Sequence, residues 1–448
     1  MLMAPQAEVA RKGRDNRRFD EQLNNSRSRR REPDRRRASD RKREQERGRA
    51  TDRREQERRS EPERREPERR IRRPKIKWLE RGMGLDLPFM LLVLVLVIIG
   101  MIMMFSASYP VAMYNKDDSY FYIKRQVIFA LIGLTVMVLI SFFNYNKLHR
   151  FAFLVLLISM GLLVVVLAAP SSTGVHRWFE FGPVEIQASE IAKFAVILFM
   201  AHWCSLHYDK MDTVSYGVVP GLVIFTLIAG LLVLEPHYSG IVIIGILMVI
   251  MLYIGGIKIK YLAIGAILLG IAIVVAWVTG ILTYAMERMD GWGQALNPAP
   301  GMEDATWQTR NSLYAIGSGG LFGLGLGQSH QKYLYLPEPQ NDFVFAIVCE
   351  EIGFVGALII LLIFALLVWR GITLSLRSKD RFGKLLGIGL SSQIGVQVIL
   401  NILVITDWLP NTGISLPFFS YGGSSLIMLL AQMGLVLSIS RTANIERQ

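Results

Sequence analysis

The stretch DLPFMLLVLVLVIIGMIMMFSAS, residues 86–108, decides the class of this protein. It is an uninterrupted apolar run after its first residue, and a run of about 20 apolar residues matches a bilayer core of about 30 Å. Such a segment must satisfy its own backbone hydrogen bonds in lipid, and it lacks the alternation of a barrel strand. Nine similar runs follow, at 124–143, 150–169, 187–206, 215–234, 239–255, 260–281, 343–369, 383–406 and 414–438. The sequence therefore predicts an all-α polytopic membrane protein with about ten transmembrane helices.

The charge of the chain is concentrated at its N-terminal end. Residues 1–77 hold 29 of the 50 Lys and Arg and 16 of the 37 Asp and Glu, so they carry the whole formal charge of +13. Repeats such as EPERREPERR leave too few apolar residues for a core, which predicts a disordered basic tail. We interpret it as a solvated cytoplasmic tail that sets topology, with contact to anionic membrane lipids as the functional alternative and no nucleic acid as partner.

The basic clusters between the spans fix the predicted orientation. The positive-inside rule places the tail in the cytoplasm, and ten spans then return the C terminus to that side. The clusters at 147–150, 258–260 and 370–384 fall on the cytoplasmic side as well. The longest gap, residues 283–342 between the seventh and eighth spans, becomes a large extracellular loop within a membrane domain of residues 78–441.

An acidic pair in this loop is the first candidate for chemistry. In NPAPGMEDATWQ, residues 297–308, Glu303 or Asp304 could act as a general base toward a sugar hydroxyl. An exposed loop charge without a function is the alternative. The glycine-rich stretch GSGGLFGLGLG, residues 317–327, lacks the GK[ST] ending of a nucleotide loop, and we interpret it as tight turns and close backbone packing.

Ionisable residues within or beside spans form a second group. Glu190 and Lys193 lie three residues apart on one helical face, and Arg177 precedes them in an outer loop. Intramembrane charges usually face a cavity or a partner, so a substrate contact and a structural ion pair both stay open. The pair Glu350 and Glu351 likewise needs partners, such as a basic residue from elsewhere.

Basic residues at the outer surface and possible metal ligands are the remaining candidates. Lys124, Arg125 and Lys332 would suit a phosphate-bearing lipid at the outer surface, through charge-assisted hydrogen bonds. The two cysteines and six histidines have no ligand spacing, so no metal site is predicted from them.

Three blocks of sequence resemble a known family. HRWFEFGPVEIQASEIAKF (176–194), the segment from NSLYAIGSGG to EEIGFVG (311–356) and LPNTGISLPFFSYGGSS (409–425) are similar to the signature blocks of the SEDS family, named for shape, elongation, division and sporulation. The order of the blocks on ten spans supports the resemblance over about residues 80–440. The segment KYLYLPEP and the long N-terminal tail favour the FtsW branch of the family.

The resemblance implies a peptidoglycan glycosyltransferase that polymerises lipid II at the outer face of the bacterial cytoplasmic membrane, in cell division or elongation. It implies a class B penicillin-binding protein transpeptidase as partner, with other division or elongation proteins, and a divalent cation (Mg²⁺ or Mn²⁺) as the one cofactor to consider. Asp304 matches the essential acid before the aromatic-Gln pair, with Glu303 and Asp290 as alternatives. A lipid II flippase or a non-catalytic scaffold is the competing function. The substrate contacts expected with this resemblance are Arg177, Glu190, Lys193, Gln308, Ser312, Lys332 and Glu338.

Overall fold

The computed structural model describes residues 84–168, 177–181, 184–280, 289 and 291–445. The predicted disordered tail, residues 1–77, and the alternative base Asp290 lie outside the described residues. The described helices are α1 Leu87–Lys116, α2 Phe121–Phe142, α3 Asn146–Ala168, α4 Ala188–Leu206, α5 Val219–Leu234, α6 Tyr238–Ile254, α7 Ile259–Val278, α8 Glu303–Ser318, α9 Val344–Leu376, α10 Arg381–Ile405 and α11 Gly423–Ile445.

The helices confirm the predicted class of an all-α polytopic membrane protein. Eight of the described helices are long and apolar enough to cross a bilayer, counting α5 with the single turn of π-helix before it. The apolar helix α6 has 17 residues, and α7 adds another 20. Together they correspond one by one to the ten predicted spans, whereas α8 lies within the large loop.

Two local features differ from the sequence-based expectation. The last span was expected from 414, but α11 begins at Gly423, because Pro417 and the positive φ of Phe418 interrupt a helix that composition alone favours. A small antiparallel hairpin also precedes α4, with β1 Trp178–Phe181 paired to β2 Val184–Gln187 in the register Trp178↔Gln187. Its strands have only four residues each, too short for a clear alternating pattern.

The core lies along α4 and α10, which are buried over most of their length. The helices α2 and α3 instead turn large apolar side chains outward, including Leu131, Leu139 and Leu154. Outward apolar faces of this kind suit a lipid environment, since lipid tails are as apolar as these side chains. At one end, Asp86 caps α1 by accepting from the Phe89 N–H (3.0 Å). Its carboxylate also accepts from Nε and Nη2 of Arg370 on α9.

The opposite end of the bundle gathers the large loop and several helix ends, and we call it the loop end. Hydrogen bonds join its parts: the Gln187 N–H donates to Ser424 Oγ, and Tyr421 N–H donates to the Gln340 carbonyl. Asn401 Nδ2 on α10 donates to the carbonyls of Asp342 and Ile414. The predicted site residues all lie at this end of the chain's helices or in the loop itself.

Candidate active site

The helix α8 is fixed to its surroundings by three polar side chains on two successive turns. Trp307 Nε1 donates to the Tyr335 carbonyl (2.9 Å). Gln308 Nε2 donates to the Pro337 carbonyl (3.3 Å), and its Oε1 accepts from Asn411 Nδ2 (2.7 Å). The buried Ser312 Oγ donates to the Ile405 carbonyl at the end of α10 (2.9 Å). Gln308 and Ser312, both predicted substrate contacts, therefore have positioning roles for α8.

The acidic pair occupies the first turn of α8, and its two members differ. Glu303 Oε2 accepts the Gly301 N–H (2.9 Å) and so closes the turn before the helix. Asp304 is exposed, and its carboxylate makes no hydrogen bond or ion pair with another described residue. The positive end of the helix dipole favours a carboxylate at this position. Asp304 is thus an ionisable group held on a fixed helix with its oxygens available.

The glutamate pair on α9 fastens the loop after α8. Glu350, completely buried, accepts hydrogen bonds from the Ser329 hydroxyl, the His330 N–H (2.9 Å) and the Gln331 N–H (3.4 Å). Its neighbour Glu351 accepts from Lys332 Nζ (2.8 Å). Two adjacent carboxylates therefore bind one four-residue turn of the loop.

Lys332 is the predicted contact whose position differs most from the expectation. Its side chain is completely buried, and Nζ also lies 3.2 Å from Ser106 Oγ on α1. Ser106 in turn donates to both oxygens of Glu351 (2.6 and 2.8 Å). A phosphate in solution does not reach this ammonium group without displacing its partners, so the position indicates a structural role.

The glycine-rich stretch packs its backbone against a kink in α9, as its composition suggested. Gly353 departs from helical geometry (φ 70°, ψ −177°), which frees backbone groups on both sides of it. The N–H groups of Leu324 and Gly325 donate to the carbonyls of Glu350 and Glu351, at 3.0 and 2.9 Å. These bonds satisfy the carbonyl groups that lose their helical partners at the kink. Non-helical backbone at membrane depth requires such partners, because no water is available there.

The second predicted group assembles around the turn between α5 and α6. The buried Lys193 Nζ lies 2.6 Å from Glu190 Oε1, and Arg177 donates to the carbonyls of Glu235 (3.3 Å) and Pro236. Neither carboxylate oxygen of the buried Glu235 has a hydrogen-bond partner among the described residues, and the same holds for His237 Nδ1. The turn thus concentrates ionisable groups with spare hydrogen-bonding capacity.

Burial sets the charge of the two residues in this turn, outside both helices. Burial raises the pKa of Glu235 to about 8, against the opposing effect of the Arg177 guanidinium. Burial also lowers the pKa of His237 to about 3, and the cations Arg177 and Lys193 act in the same direction. At neutral pH the imidazole is neutral and the carboxyl is largely protonated, so the positive charge of the cluster comes from Arg177 and Lys193.

Glu338 remains in its own loop. Its carboxylate is exposed, and Oε2 accepts from Gln340 Nε2 (2.6 Å) and Asn341 Nδ2 (3.2 Å), while its backbone has a positive φ of 46°. These bonds indicate that it shapes the turn before α9. Sequence reasoning could not identify Ser106 or Asn411 as partners, because a single Ser in a span and a single Asn in a loop are common and carry no spacing signal.

No group of three or more His, Cys, Asp or Glu within the described ranges is arranged to hold a metal ion. The free thiols of Cys204 and Cys349 lie in or beside the core. The described side chains therefore offer no ready-made ligand set for the divalent cation that the resemblance raised.

Comparison with known proteins assigns this fold and loop to a class. The sequence profile of the FtsW/RodA/SpoVE family, described as a cell cycle protein, matches residues 86–445. The stage V sporulation protein E of Bacillus subtilis is 39% identical over 360 residues, covering 80% of this chain and 97% of the relative. A probable peptidoglycan glycosyltransferase FtsW of Trichlorobacter lovleyi is 34% identical over 358 residues, covering 79% and 93%.

Solved structures agree with the sequence relatives. A chain from a peptidoglycan synthase complex, studied for its structural coordination of polymerization and crosslinking, is 25% identical with a TM-score of 0.65 and coverage of 80% and 98%. The rod shape determining protein RodA of Thermus thermophilus is 26% identical with a TM-score of 0.59 and the same coverage. The chain is a polytopic membrane protein of the cell-cycle class. It belongs to the FtsW/RodA/SpoVE family, which confirms the SEDS resemblance.

Proposed function

We propose that this protein is a peptidoglycan glycosyltransferase that polymerises lipid II into β-1,4 glycan strands. Family membership and the FtsW relatives named as glycosyltransferases support the reaction class. The charge pattern of the sequence supports placing the loop end on the outer face of the cytoplasmic membrane, with both termini inside. The observation that carries the proposal is the exposed carboxylate of Asp304, which has no partner among the described residues and lies on a helix fixed at the loop end.

Asp304 acts as general base in the proposed reaction. It accepts the proton of the 4-hydroxyl of the acceptor N-acetylglucosamine, while that oxygen forms a bond to the anomeric carbon of the donor. The bond from this carbon to pyrophosphate breaks, and the electron pair leaves with the polyprenyl pyrophosphate. An α-linked donor gives a β-linked product, so a single displacement with one base accounts for the inversion without a covalent enzyme intermediate.

The leaving group is charged, and the loop end offers two cations for it. Arg177 and Lys193 lie around the α5–α6 turn, where Arg177 donates to the carbonyls of Glu235 and Pro236 and Lys193 donates to Glu190. Cations fixed in advance stabilise developing charge without reorganisation at the moment of reaction. We assign the pyrophosphate to this cluster, with Arg177 as the contacting cation and Lys193, which is buried in its pair with Glu190, as a positive charge that acts without direct contact. Lys332 is assigned to the loop scaffold. These steps use the protein's own side chains only.

The partners follow from the proposed reaction. The glycan needs crosslinking, and the structurally similar chain comes from a complex that coordinates polymerization and crosslinking. We propose a class B penicillin-binding protein transpeptidase as the main partner, within a division, elongation or sporulation complex. One B. subtilis relative is named for sporulation, another is named FtsW, and the RodA structure is named for rod shape, so the similar proteins do not single out one setting.

Lipid II polymerisation by the purified protein with its class B partner tests the proposal. Wild type should yield glycan, and Asp304→Ala should lower the rate by about 100-fold or more, as removal of a catalytic base commonly does. Asp209→Ala is the matched control, since Asp209 is an exposed acid after α4, in the turn at the opposite end from the loop. Its rate should equal that of wild type.

The other outcomes are equally informative. Full activity of Asp304→Ala with loss in Glu303→Gln, or in a change at Asp290, overturns the assignment of the base and keeps the reaction class. Absence of glycan from wild type beside a partner shown to be active overturns the proposed function. A flippase or a scaffold would then be tested by lipid II translocation in vesicles.

A further inference from the structure

An open cleft beside α8 takes no part in the proposed chemistry. It has a volume of about 730 Å³ and is lined by Leu313 on α8, by residues 406–408 at the end of α10, and by Trp292, Gly293, Gln294, Leu296 and Asn297 ahead of α8. This volume lies in the range of about 300–1,000 Å³ that is typical of small-molecule sites. It is separate from the cluster of Arg177, Lys193 and Glu235, none of which lines it.

Two tryptophans dominate the apolar part of this cleft. Trp292 is 44% exposed and Trp408 is 74% exposed, so both offer indole surface to a ligand. An indole ring stacks well on the flat C–H face of a sugar ring, because the aromatic face is slightly negative and the C–H groups slightly positive. Exposed indoles that line a common cleft are thus a chemically sensible platform for a saccharide.

The polar lining fits uncharged hydroxyl and amide groups. Gln294 and Asn297 bring side-chain amides, Thr406 a hydroxyl and Asp407 a carboxylate, and the described lining contains neither Lys nor Arg. Each amide can both donate and accept hydrogen bonds, which matches sugar hydroxyls and acetamido groups. Among the described lining residues, an anionic ligand such as pyrophosphate would meet the Asp407 carboxylate and no Lys or Arg side chain.

Asp407 also holds the two walls of the cleft together. Its oxygens accept from the Gly293 and Ala295 N–H groups, both at 3.3 Å, and its backbone takes the positive φ of 61°. Each carboxylate oxygen has a second lone-pair site, so these bonds leave accepting capacity toward the cleft. The strained backbone turns Asp407 and Trp408 toward the segment before α8 and so maintains the cleft.

We propose that this cleft binds the sugar backbone of the glycan, an N-acetylated β-1,4-linked saccharide stacked on Trp292 and Trp408. The identity of the saccharide as the protein's own product rests on the proposed function. The cleft and α8 share Leu313, and Asp304 lies on the same helix, so a strand held in the cleft stays beside the helix that carries the base. Such a site would retain the growing strand between additions.

Equilibrium binding of chitotetraose, an uncharged β-1,4-linked tetramer of N-acetylglucosamine, tests the site. The full chain in nanodiscs is titrated while tryptophan emission is recorded, with maltotetraose as the sugar control. We expect saturable binding of chitotetraose and an affinity loss of about fivefold or more in Trp408→Ala, the size of one aromatic contact. Trp369→Ala, an exposed tryptophan on α9 away from the cleft, should bind like wild type.

The competing explanation for these tryptophans is a membrane-interface anchor, and the same samples decide it. Strong quenching of Trp408 by brominated lipids together with no response to chitotetraose overturns the proposal in favour of a lipid contact. Equal binding by wild type and Trp408→Ala also overturns it. Polymerisation of lipid II without any chitotetraose binding rejects the cleft alone, whereas chitotetraose binding without polymerisation supports the cleft and rejects the proposed function.

Discussion

Lys332 Nζ lies 2.8 Å from Glu351 Oε1, and both side chains are completely buried. One residue comes from the large loop and the other from α9, so the pair joins them in a region without solvent. Removing one partner of such a pair leaves a buried charge uncompensated, which costs about 3–5 kcal/mol.

Breaking this pair should therefore unfold the protein at a lower temperature. We expect Lys332→Met to lower the free energy of unfolding by about 3–5 kcal/mol, and Lys332→Met with Glu351→Leu to recover part of the loss. Thermal unfolding in detergent measures both. Lys124→Met is the matched control, because its pair with Asp118 is exposed and worth at most about 1 kcal/mol. Equal losses in both variants would contradict the proposed scaffold role.

The kink in α9 should be intolerant of a side chain. A Cβ on Gly353 would overlap the backbone nitrogen of Gly323, and φ of 70° disfavours any residue with a Cβ. Gly353→Ala should therefore cost about 1–3 kcal/mol of unfolding free energy. Gly161→Ala on α3, with nothing within 4 Å of the added atom, should be neutral or mildly stabilising. Similar melting temperatures for the two variants would contradict the kink.

Gln308 and Asn411 should behave as a coupled pair. Each of the changes Gln308→Ala and Asn411→Ala removes their shared 2.7 Å hydrogen bond, at about 1 kcal/mol. Because they share one bond, the double variant should lose less than the sum, with a coupling of about 0.5 kcal/mol or more. A double-mutant cycle of polymerisation rate and stability measures this coupling. Strict additivity would show that the Gln308–Asn411 hydrogen bond does not form in the membrane-inserted protein.

The buried Glu235 should make stability depend on pH. Its pKa rises from 4.5 in the unfolded chain to about 8 in the folded protein, so the folded state binds more protons between these values. Stability is then highest below about pH 4.5 for this group and falls as the pH rises toward 8. Glu235→Gln should flatten the melting temperature between pH 5 and about 8, whereas the exposed Glu303→Gln should follow wild type. If wild type and Glu235→Gln showed the same pH dependence of the melting temperature, the raised pKa of Glu235 would be contradicted.

The sequence predicts the helices well and the loop contacts poorly, for physical reasons. A run such as 86–108 specifies a span by itself, because length and hydrophobicity alone decide whether a segment crosses a bilayer. Lys332 looks like a surface cation among polar neighbours, and only the fold brings Glu351 and Ser106 around it. The segment before α11 looks helical by composition until the positive φ of Phe418 is seen. Asp304 is predicted from the aromatic-Gln motif that follows it, whereas spacing alone does not distinguish it from Glu303.

The adjacent carboxylates of Glu350 and Glu351 have a mechanical consequence. Successive residues on a helix project about 100° apart, so the two side chains restrain the loop along different directions. Glu350 binds the turn at 329–331 and Glu351 binds the ammonium group of Lys332, so a rotation of the loop about one contact would strain the other. The loop and the first turns of α9 are therefore joined as one unit on the N-terminal side of the kink at Gly353.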